Sequence, residues 1–336
     1  MMDPAFYPHR CDRVEPRETL RSWLFFAGEF VYKVKKPLRL SFCDASTPAR
    51  RFNLCRQEIE LNRRLAPDVY LGIRAIAANG GSYAFVAESN DLRAREFAVM
   101  MRRLPAPRML DQMIDAGLAG AAEMRETAHH LAAFHARAST AQAVRWGSAQ
   151  AIYQQLAELG QVQTLLADNL ARSQLAAIQA STRGYVIAHR QSLDNRLRDG
   201  RVREGHGDLR CKSICFVPEG IVIIDCAECS ENRRYMDVAA DVAALAVDLE
   251  MLERPELADD LIAAYVAETR DSQLSALLGF YGCYQAAWRG LVATLTSVQG
   301  QLPSAMRMAA RGEARQLFAL AQGYANSLST SAGWRS

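Results

Sequence analysis

Apolar and polar positions alternate near the start of the chain. Residues 20–36 run through Leu20 and Trp23-Leu24-Phe25-Phe26 to a turn at Ala27-Gly28-Glu29, then through Phe30-Val31-Tyr32-Lys33-Val34-Lys35. Period-two alternation in β-branched and aromatic residues predicts an antiparallel hairpin. Pro37 ends its second strand, because proline brings no donor to the ladder. Ser46-Thr47-Pro48 reads as a helix start, a hydroxyl cap with proline in the first turn. The helix that follows turns Phe52, Cys55, Ile59, Leu61 and Leu65 inward and is expected to stop near Pro67-Asp68. Short strands are expected at 72–77 and 82–87 about an Asn79-Gly80-Gly81 turn. A third, over 95–102, runs into Arg103-Leu104-Pro105-Ala106-Pro107.

Beyond that proline-flanked segment the period changes from 2 to 3.6. Helices are expected over 107–117, 120–138, 147–170 and 173–199, and again over 237–250, 254–269, 271–298 and 303–327. Between the two groups strand character returns only as a short hairpin over 213–225. The pattern is α+β: a small β-rich lobe over residues 1–104 and a larger α-helical lobe over 105–336. No internal repeat or low-complexity tract interrupts it.

Composition narrows the function classes. At 336 residues, half of them hydrophobic and 23% charged, the chain is of globular type. A net charge of +3 is too small to argue for a nucleic-acid partner. The first residues, MMDPAFYPHR, contain no apolar signal-peptide core, and no stretch approaches the ~18 uncharged apolar residues of a membrane span. The expectation is a cytoplasmic protein with no membrane and no nucleic-acid partner. Its eight cysteines are then expected as free thiols rather than a disulfide framework. Cys211-x3-Cys215 with Cys226-x2-Cys229 also admits a four-thiolate zinc reading. Against it, Cys215 and Cys226 flank the hairpin strands, where small apolar residues pack.

The hairpin carries the chemistry. His206-Gly207-Asp208-Leu209-Arg210 precedes it, and the aliphatic run Ile221-Val222-Ile223-Ile224 ends in Asp225. Two carboxylates 17 residues apart, Asp208 and Asp225, joined by a hairpin, can face one cleft. Phosphoryl transfer needs such a pair, one carboxylate to orient a hydroxyl nucleophile and one to hold Mg²⁺ on nucleotide phosphates. Glu228, three residues on, reads either as a supporting acid or as a solvated turn residue.

Four stretches extend this reading in chain order: Phe30-Val-Tyr-Lys-Val-Lys-Lys-Pro37, Glu60-Leu-Asn-Arg-Arg-Leu-Ala-Pro-Asp-Val-Tyr-Leu-Gly72, His206-Gly-Asp-Leu209 and Asp237-Val-Ala-Ala-Asp241. With them the chain resembles the aminoglycoside phosphotransferase-like branch of the protein-kinase-like fold. It is similar to the subgroup often fused to a C-terminal P-loop ATPase domain, although no Gly-x4-Gly-Lys-Ser/Thr motif occurs here. The resemblance implies a two-lobed kinase fold and an ATP-dependent phosphotransferase. Its γ-phosphate acceptor would be a hydroxyl of a small molecule, and its cofactors ATP and Mg²⁺.

The resemblance also implies roles. Asp208 would be the catalytic base and Asp225 the metal ligand. Lys33 would contact the nucleotide phosphates, with Lys35 on the same strand face as the alternative. Glu58 would pair with that lysine; helical periodicity sets it beside Leu61 and Leu65 on the cleft side, ahead of Glu60. Met100, Met101 and Arg102 would offer backbone groups to the adenine. Asp237 and Asp241, read as one helical turn apart, would brace the helix beneath the catalytic loop, and His206 would brace the loop itself.

Two departures stand out. Ser213 occupies the position where the superfamily has an asparagine metal ligand, and a hydroxyl is the shorter arm. Arg13–Arg21 contains no glycine, so phosphate cover would come from elsewhere, such as the Gly28 turn. Both support an alternative reading, a pseudokinase acting as a nucleotide-binding or interaction module. The stretch 139–185 carries only Glu158 and Asp168 as acids, which argues against a polycationic acceptor.

Overall fold

The computed structural model describes residues 1–79, 82–86, 94–157, 159–160 and 169–328. Strands β1 (Val14–Glu18), β2 (Ser22–Ala27), β3 (Phe30–Lys35), β4 (Arg39–Leu40) and β5 (Cys43–Asp44) lead to helix α1 (Pro48–Asn62). Strands β6 (Tyr70–Asn79), β7 (Ser82–Val86) and β8 (Ala94–Arg102) follow. Then come α2 (Leu110–Asp115), α3 (Ala121–Arg137), α4 (Ala143–Gly147), α5 (Ala149–Gln155), α6 (Asn169–Ala188) and α7 (Arg190–Arg198). After β9 (Val202–Glu204), β10 (Ile214–Val217) and β11 (Gly220–Ile223), the chain closes with α8 (Glu231–Arg234), β12 (Tyr235–Asp237), α9 (Ala239–Met251), α10 (Pro255–Thr269), α11 (Leu274–Ser297) and α12 (Ser304–Leu328).

These elements form two compact units, residues 1–113 with 212–231 and residues 114–211 with 232–336. The sequence pattern suggested one break after residue 104. The β10–β11 hairpin instead joins the N-terminal strands, and the reason lies in its aliphatic face. Val222 and Ile224 pack on a core of Val31, Cys55, Ile59, Tyr70, Val99 and Met101. The Cys226 N–H donates to Asn62 Oδ1 at 2.9 Å.

The first unit is built on an antiparallel sheet of order β1-β2-β3-β8-β6-β7. Alternation divides β3 between two cores, with Val31 against α1 and Tyr32 and Val34 against Tyr7, Ala98 and Met100 on the other face. Thr47 caps α1, its hydroxyl accepting from Arg50 N–H at 3.3 Å. The helix ends at Asn62, short of Pro67, where the Leu65 and Ala66 N–H groups both turn back to Asn62 O. Gly28 makes the β2–β3 turn at φ 59°, a conformation that strains a residue with a Cβ. The sequence pattern gave no sign of β1, whose Val-Glu-Pro-Arg-Glu composition suits an edge strand, where proline costs no ladder bond. Residues 80, 81 and 87 of the expected β6–β7 hairpin lie outside the described residues.

In the second unit α9 is buried over the whole run Ala239–Leu249, as expected of a helix apolar on every side. Strand character returns here too: β12 pairs with β9, Asp237 opposite Val202. Three-residue strands are too short to show a period, so this ladder went unread. It also moves Asp237 off the helix on which it was expected. Its carboxylate accepts from Arg196 Nη2 at 2.8 Å and from Ala239 N–H at 2.9 Å, while Asp271 holds the other side of the same guanidinium. The single helix expected over 173–199 breaks at His189, between α6 and α7. The helix expected over 147–170 begins again at Ser148, whose hydroxyl caps α5. Residues 158 and 161–168 lie outside the described residues, and with them Glu158 and Asp168.

The cysteine expectation needs a correction. Cys43 and Cys229 form a disulfide across 186 residues of sequence, with Cα atoms 5.2 Å apart. Cys229 is thereby removed from the four-thiolate set, and among the described residues no three acidic, histidine or cysteine side chains gather as metal ligands. Cys55, Cys211, Cys215, Cys226 and Cys283 are buried thiols.

Candidate active site

In the first unit, the β3 residues that face α1 include two lysines, and both reach the same acid. Lys33 Nζ lies 2.8 Å from Glu58 Oε1 and 2.6 Å from Asp225 Oδ1. Lys35 Nζ bonds Glu58 Oε2 and lies 2.6 Å from Glu228 Oε1. Arg21, in the β1–β2 turn, donates to the same Glu228 oxygen at 3.1 Å. The result is a row of alternating charge, Asp225, Lys33, Glu58, Lys35, Glu228, Arg21. Its centre is sealed, Glu58 being 0% exposed, while the Asp225 side chain at one end is 44% exposed. Glu60, the rival to Glu58, faces solvent. Glu228 is a buried, paired acid rather than a solvated turn residue.

The row sets the charge states of its members. Lys33 holds the Asp225 carboxyl far below the usual range, against the opposing effect of burial. Burial works against a charge on Lys33, but Asp225, Glu58 and Glu228 together keep its pKa well above the ordinary lysine value. Burial likewise opposes ionisation of Glu228, and Arg21 and Lys35 outweigh it. With these pairs in place, three acids and three bases neutralise one another.

Asp225 sits just past β11 in the left-handed region, φ 67°. A non-glycine residue persists there only when its surroundings hold it. Its own N–H donates to the Tyr70 hydroxyl at 3.2 Å, and the next N–H is the one on Asn62. Ser213 is buried at the same end of the hairpin, its carbonyl accepting from Ile224 N–H at 2.9 Å, one residue before Asp225. The three positions expected at the adenine lie within β8, between β3 and β6. Met100 stands opposite Tyr32 and Gly72, Met101 opposite Val31 and Tyr70, and Arg102 N–H donates to Val69 O at 2.9 Å. Arg103 N–H is likewise engaged, with Glu29 O, so Leu104 is the first residue past the ladder.

In the second unit the loop carrying Asp208 hangs from two carboxylates of α9. Asp241 accepts from His206 N–H at 2.6 Å and Gly207 N–H at 2.9 Å, and its Oδ2 lies 3.1 Å from His135 Nε2. Asp248 accepts from Cys211 N–H at 2.8 Å and is paired with Arg289 at 2.6 Å. Seven residues separate the two acids, about two helical turns, so they share a face. Gly205 is required by this approach, because a Cβ there would lie 2.3 Å from Asp241 Oδ2. Burial raises the pKa of Asp241, yet its bond to His135 and the nearby His206 bring it down to about 2. Arg233 Nη2 donates to Gly207 O at 3.1 Å, bracing the loop from another side. His206 is fully buried, its Nδ1 3.3 Å from Asp208 N, a bracing position within the loop.

Asp208 is 31% exposed, and its Oδ1 accepts from both Nε and Nη2 of Arg210 at 3.1 Å. A carboxylate so held can accept a hydrogen bond from a hydroxyl. Asp248 was missed in the sequence, although an acid recurring at i+7 in an otherwise apolar helix was a readable signal. Arg210 was quoted there as part of the motif and given no role.

Similarity to known proteins agrees with these motifs. Uncharacterised proteins of Mycobacterium tuberculosis strain H37Rv and of Mycobacterium bovis are each 32% identical to the chain over 294 residues. The match takes in 86% of this chain and 56% of each relative, so the chain spans little more than half their length. Among solved structures, a choline kinase from Cryptosporidium parvum Iowa II superposes with a TM-score of 0.59 at 11% identity, covering 95% of this chain and 90% of that one. The amicoumacin kinase hAmiN, solved with AMP-PNP, Ca²⁺ and Ami, gives 0.52 at 10% identity, covering 94% and 89%. The two-lobed, protein-kinase-like fold expected from the sequence is the fold of this chain. The sequence profile described as the phosphotransferase enzyme family (APH) matches residues 30–274, and the chain belongs to that family.

Proposed function

We propose that the protein is a small-molecule kinase that moves the γ-phosphate of ATP to a hydroxyl of its acceptor. One observation carries this reading. Asp225 is a strained, half-exposed carboxylate kept anionic by Lys33, with only its Oδ1 engaged among the described residues. Its other oxygen fits a hard cation. Mg²⁺ takes one or two protein carboxylates and completes its shell with water and phosphate oxygens, so a site without three gathered acids suits it. Asp225 would hold the ion, with the Ser213 hydroxyl as the second protein oxygen. When bound, Mg²⁺ supplies charge neutralisation on the phosphates.

The chain's own residues do the rest. Lys33 offers its ammonium to the phosphates, and Glu58 keeps that ammonium charged and aimed. Leu104, the first residue beyond the sheet ladder, replaces Met100, Met101 and Arg102 as the favoured adenine contact. Asp208 accepts the hydrogen bond of the acceptor hydroxyl and orients it, while Arg210 fixes the carboxylate's direction. Catalysis of this kind is chiefly positioning and charge stabilisation.

A pseudokinase is the second reading. The β1–β2 turn contains no glycine and carries Arg21, and Ser213 is a short arm. Thermal denaturation with and without Mg²⁺-ATP tests both, since ligand at a hundred times Kd should stabilise the fold by about 2.7 kcal/mol. No shift with any nucleotide and divalent ion would remove the kinase and the nucleotide-binding pseudokinase and leave the interaction module. A screen of metabolite pools with labelled ATP separates them, because only a kinase yields a new phosphorylated species.

A further inference from the structure

The Asp225-to-Arg21 row ends against the disulfide. Arg21 Nη1 donates to Glu228 Oε1 and also to Cys229 Sγ, at 2.9 Å. Cys229 follows Glu228 directly, so the bond to Cys43 ties down the backbone that carries the buried acid. Cys43, at the start of β5, packs with Ala45 and Leu54. A small cavity lies beside the bond, lined by Arg21, Lys35, Leu38, Cys43, Leu54 and Glu228. Cutting the bond releases the backbone beside Glu228 from Cys43.

We propose that Cys43–Cys229 is a reversible redox site whose state controls nucleotide binding through the position of Glu228; this rests on the nucleotide reading of Lys33 and Asp225. With the bond intact, Glu228 neutralises Lys35, and Glu58 can serve Lys33. With it open, Glu228 moves off Lys35, and Glu58 is drawn toward Lys35 and away from Lys33. Lys33 then leans harder on Asp225 and competes with the cation for it.

A dithiol supplies the electrons. Its thiolate attacks one sulfur of the pair, the S–S bond breaks, and a mixed disulfide forms as the other cysteine leaves as a thiolate. The dithiol's second thiol then closes a ring and releases the second cysteine. Two electrons and two protons have passed from the dithiol to two cysteine thiols. The Arg21 guanidinium at Cys229 Sγ favours the thiolate there, the form that takes part in exchange.

The test uses the full chain in two preparations, one treated with a mild disulfide oxidant and one with dithiothreitol, followed by alkylation under denaturing conditions and mass measurement. The oxidised protein should take six labels, for its six free thiols, and the reduced protein all eight. Calorimetric titration with Mg²⁺-AMP-PNP should then give a Kd about tenfold weaker for the reduced protein. The double variant Cys43→Ser/Cys229→Ser should match the reduced protein under both treatments. Glu228→Gln, which keeps the disulfide, should bind weakly in either state. Equal Kd values in preparations that differ by two labels would overturn the proposal, as would eight labels in both, or a double variant that still responds to redox. Absence of nucleotide binding in both states would instead sink the kinase reading, and the proposal with it.

Discussion

Replacing Asp241 by asparagine removes one charge from beneath the loop that carries Asp208 while keeping the side chain's shape. The carboxylate receives two backbone N–H groups and lies against His135, all within 3.1 Å. An amide can present its oxygen to only part of that set, and its NH2 group must face donors. A hydrogen bond to a charged group contributes about 1.5–3 kcal/mol, so losing one of good geometry costs about 2 kcal/mol. Linkage gives a second route to the magnitude. The Asp241 pKa is brought down to about 2, against an ordinary aspartate value of about 3.9, which corresponds to ~2.5 kcal/mol. The two routes agree. Because the folded-state value is the lower one, this stabilisation is fully present above about pH 4 and is lost as pH falls through 2.

Urea unfolding of wild type and Asp241→Asn across pH 7 to 3 measures it. The variant should be about 2–2.5 kcal/mol less stable at pH 7, and the gap should narrow below pH 4. Hydrogen exchange should report faster amides at His206 and Gly207. A gap that is absent at pH 7, or that widens on acidification, would refute the reasoning.

Gly205→Ala should destabilise by about 1–3 kcal/mol, read by urea midpoint, since its Cβ would meet Asp241 Oδ2 at 2.3 Å; an unchanged midpoint would mean that the loop yields freely. Asp225→Ala should weaken Mg²⁺-dependent nucleotide binding, whereas Asp208→Ala should leave binding intact and abolish transfer, a contrast visible by calorimetry beside steady-state kinetics. Full turnover by Asp208→Ala on a proven acceptor would sink the role given to Asp208. Ser213→Ala should lower kcat and Ser213→Asn should retain it, both being neutral oxygen ligands of different reach. An unchanged rate and Mg²⁺ dependence in Ser213→Ala would leave Ser213 as a packing residue.

What the sequence disclosed was local. The β2–β3 hairpin announced itself by alternation and the Gly28 turn, α1 by Thr47-Pro48, and Asp225 by four aliphatic residues running into a carboxylate. Periodicity alone preferred Glu58 over Glu60, and the structure buries the first and exposes the second. What stayed hidden was set by tertiary approach. Nothing in the spacing of Cys43 and Cys229 pairs them. Strand β1 was masked by proline and charge, β9 and β12 by brevity. Asp237 read as a helical residue because the helix starts two positions later. Lys33 and Lys35 could not be ranked from one strand face, and the structure explains why, since each takes one oxygen of the same glutamate.

The chain's passage from residue 113 to residue 212 before it returns to the first unit has a consequence for how the protein is made. During synthesis the N-terminal sheet emerges without the hairpin that covers it. Val222 and Ile224 are missing from its core, and Asp225 and Glu228 from beside its two lysines. At translation rates of roughly 5–20 residues per second, that interval lasts about 5–20 s. Throughout it, Lys33 and Lys35 share Glu58 alone, and an apolar face of the sheet stands open to solvent and to chaperones. The first unit is the first begun, yet it can be finished only after much of the second has left the ribosome.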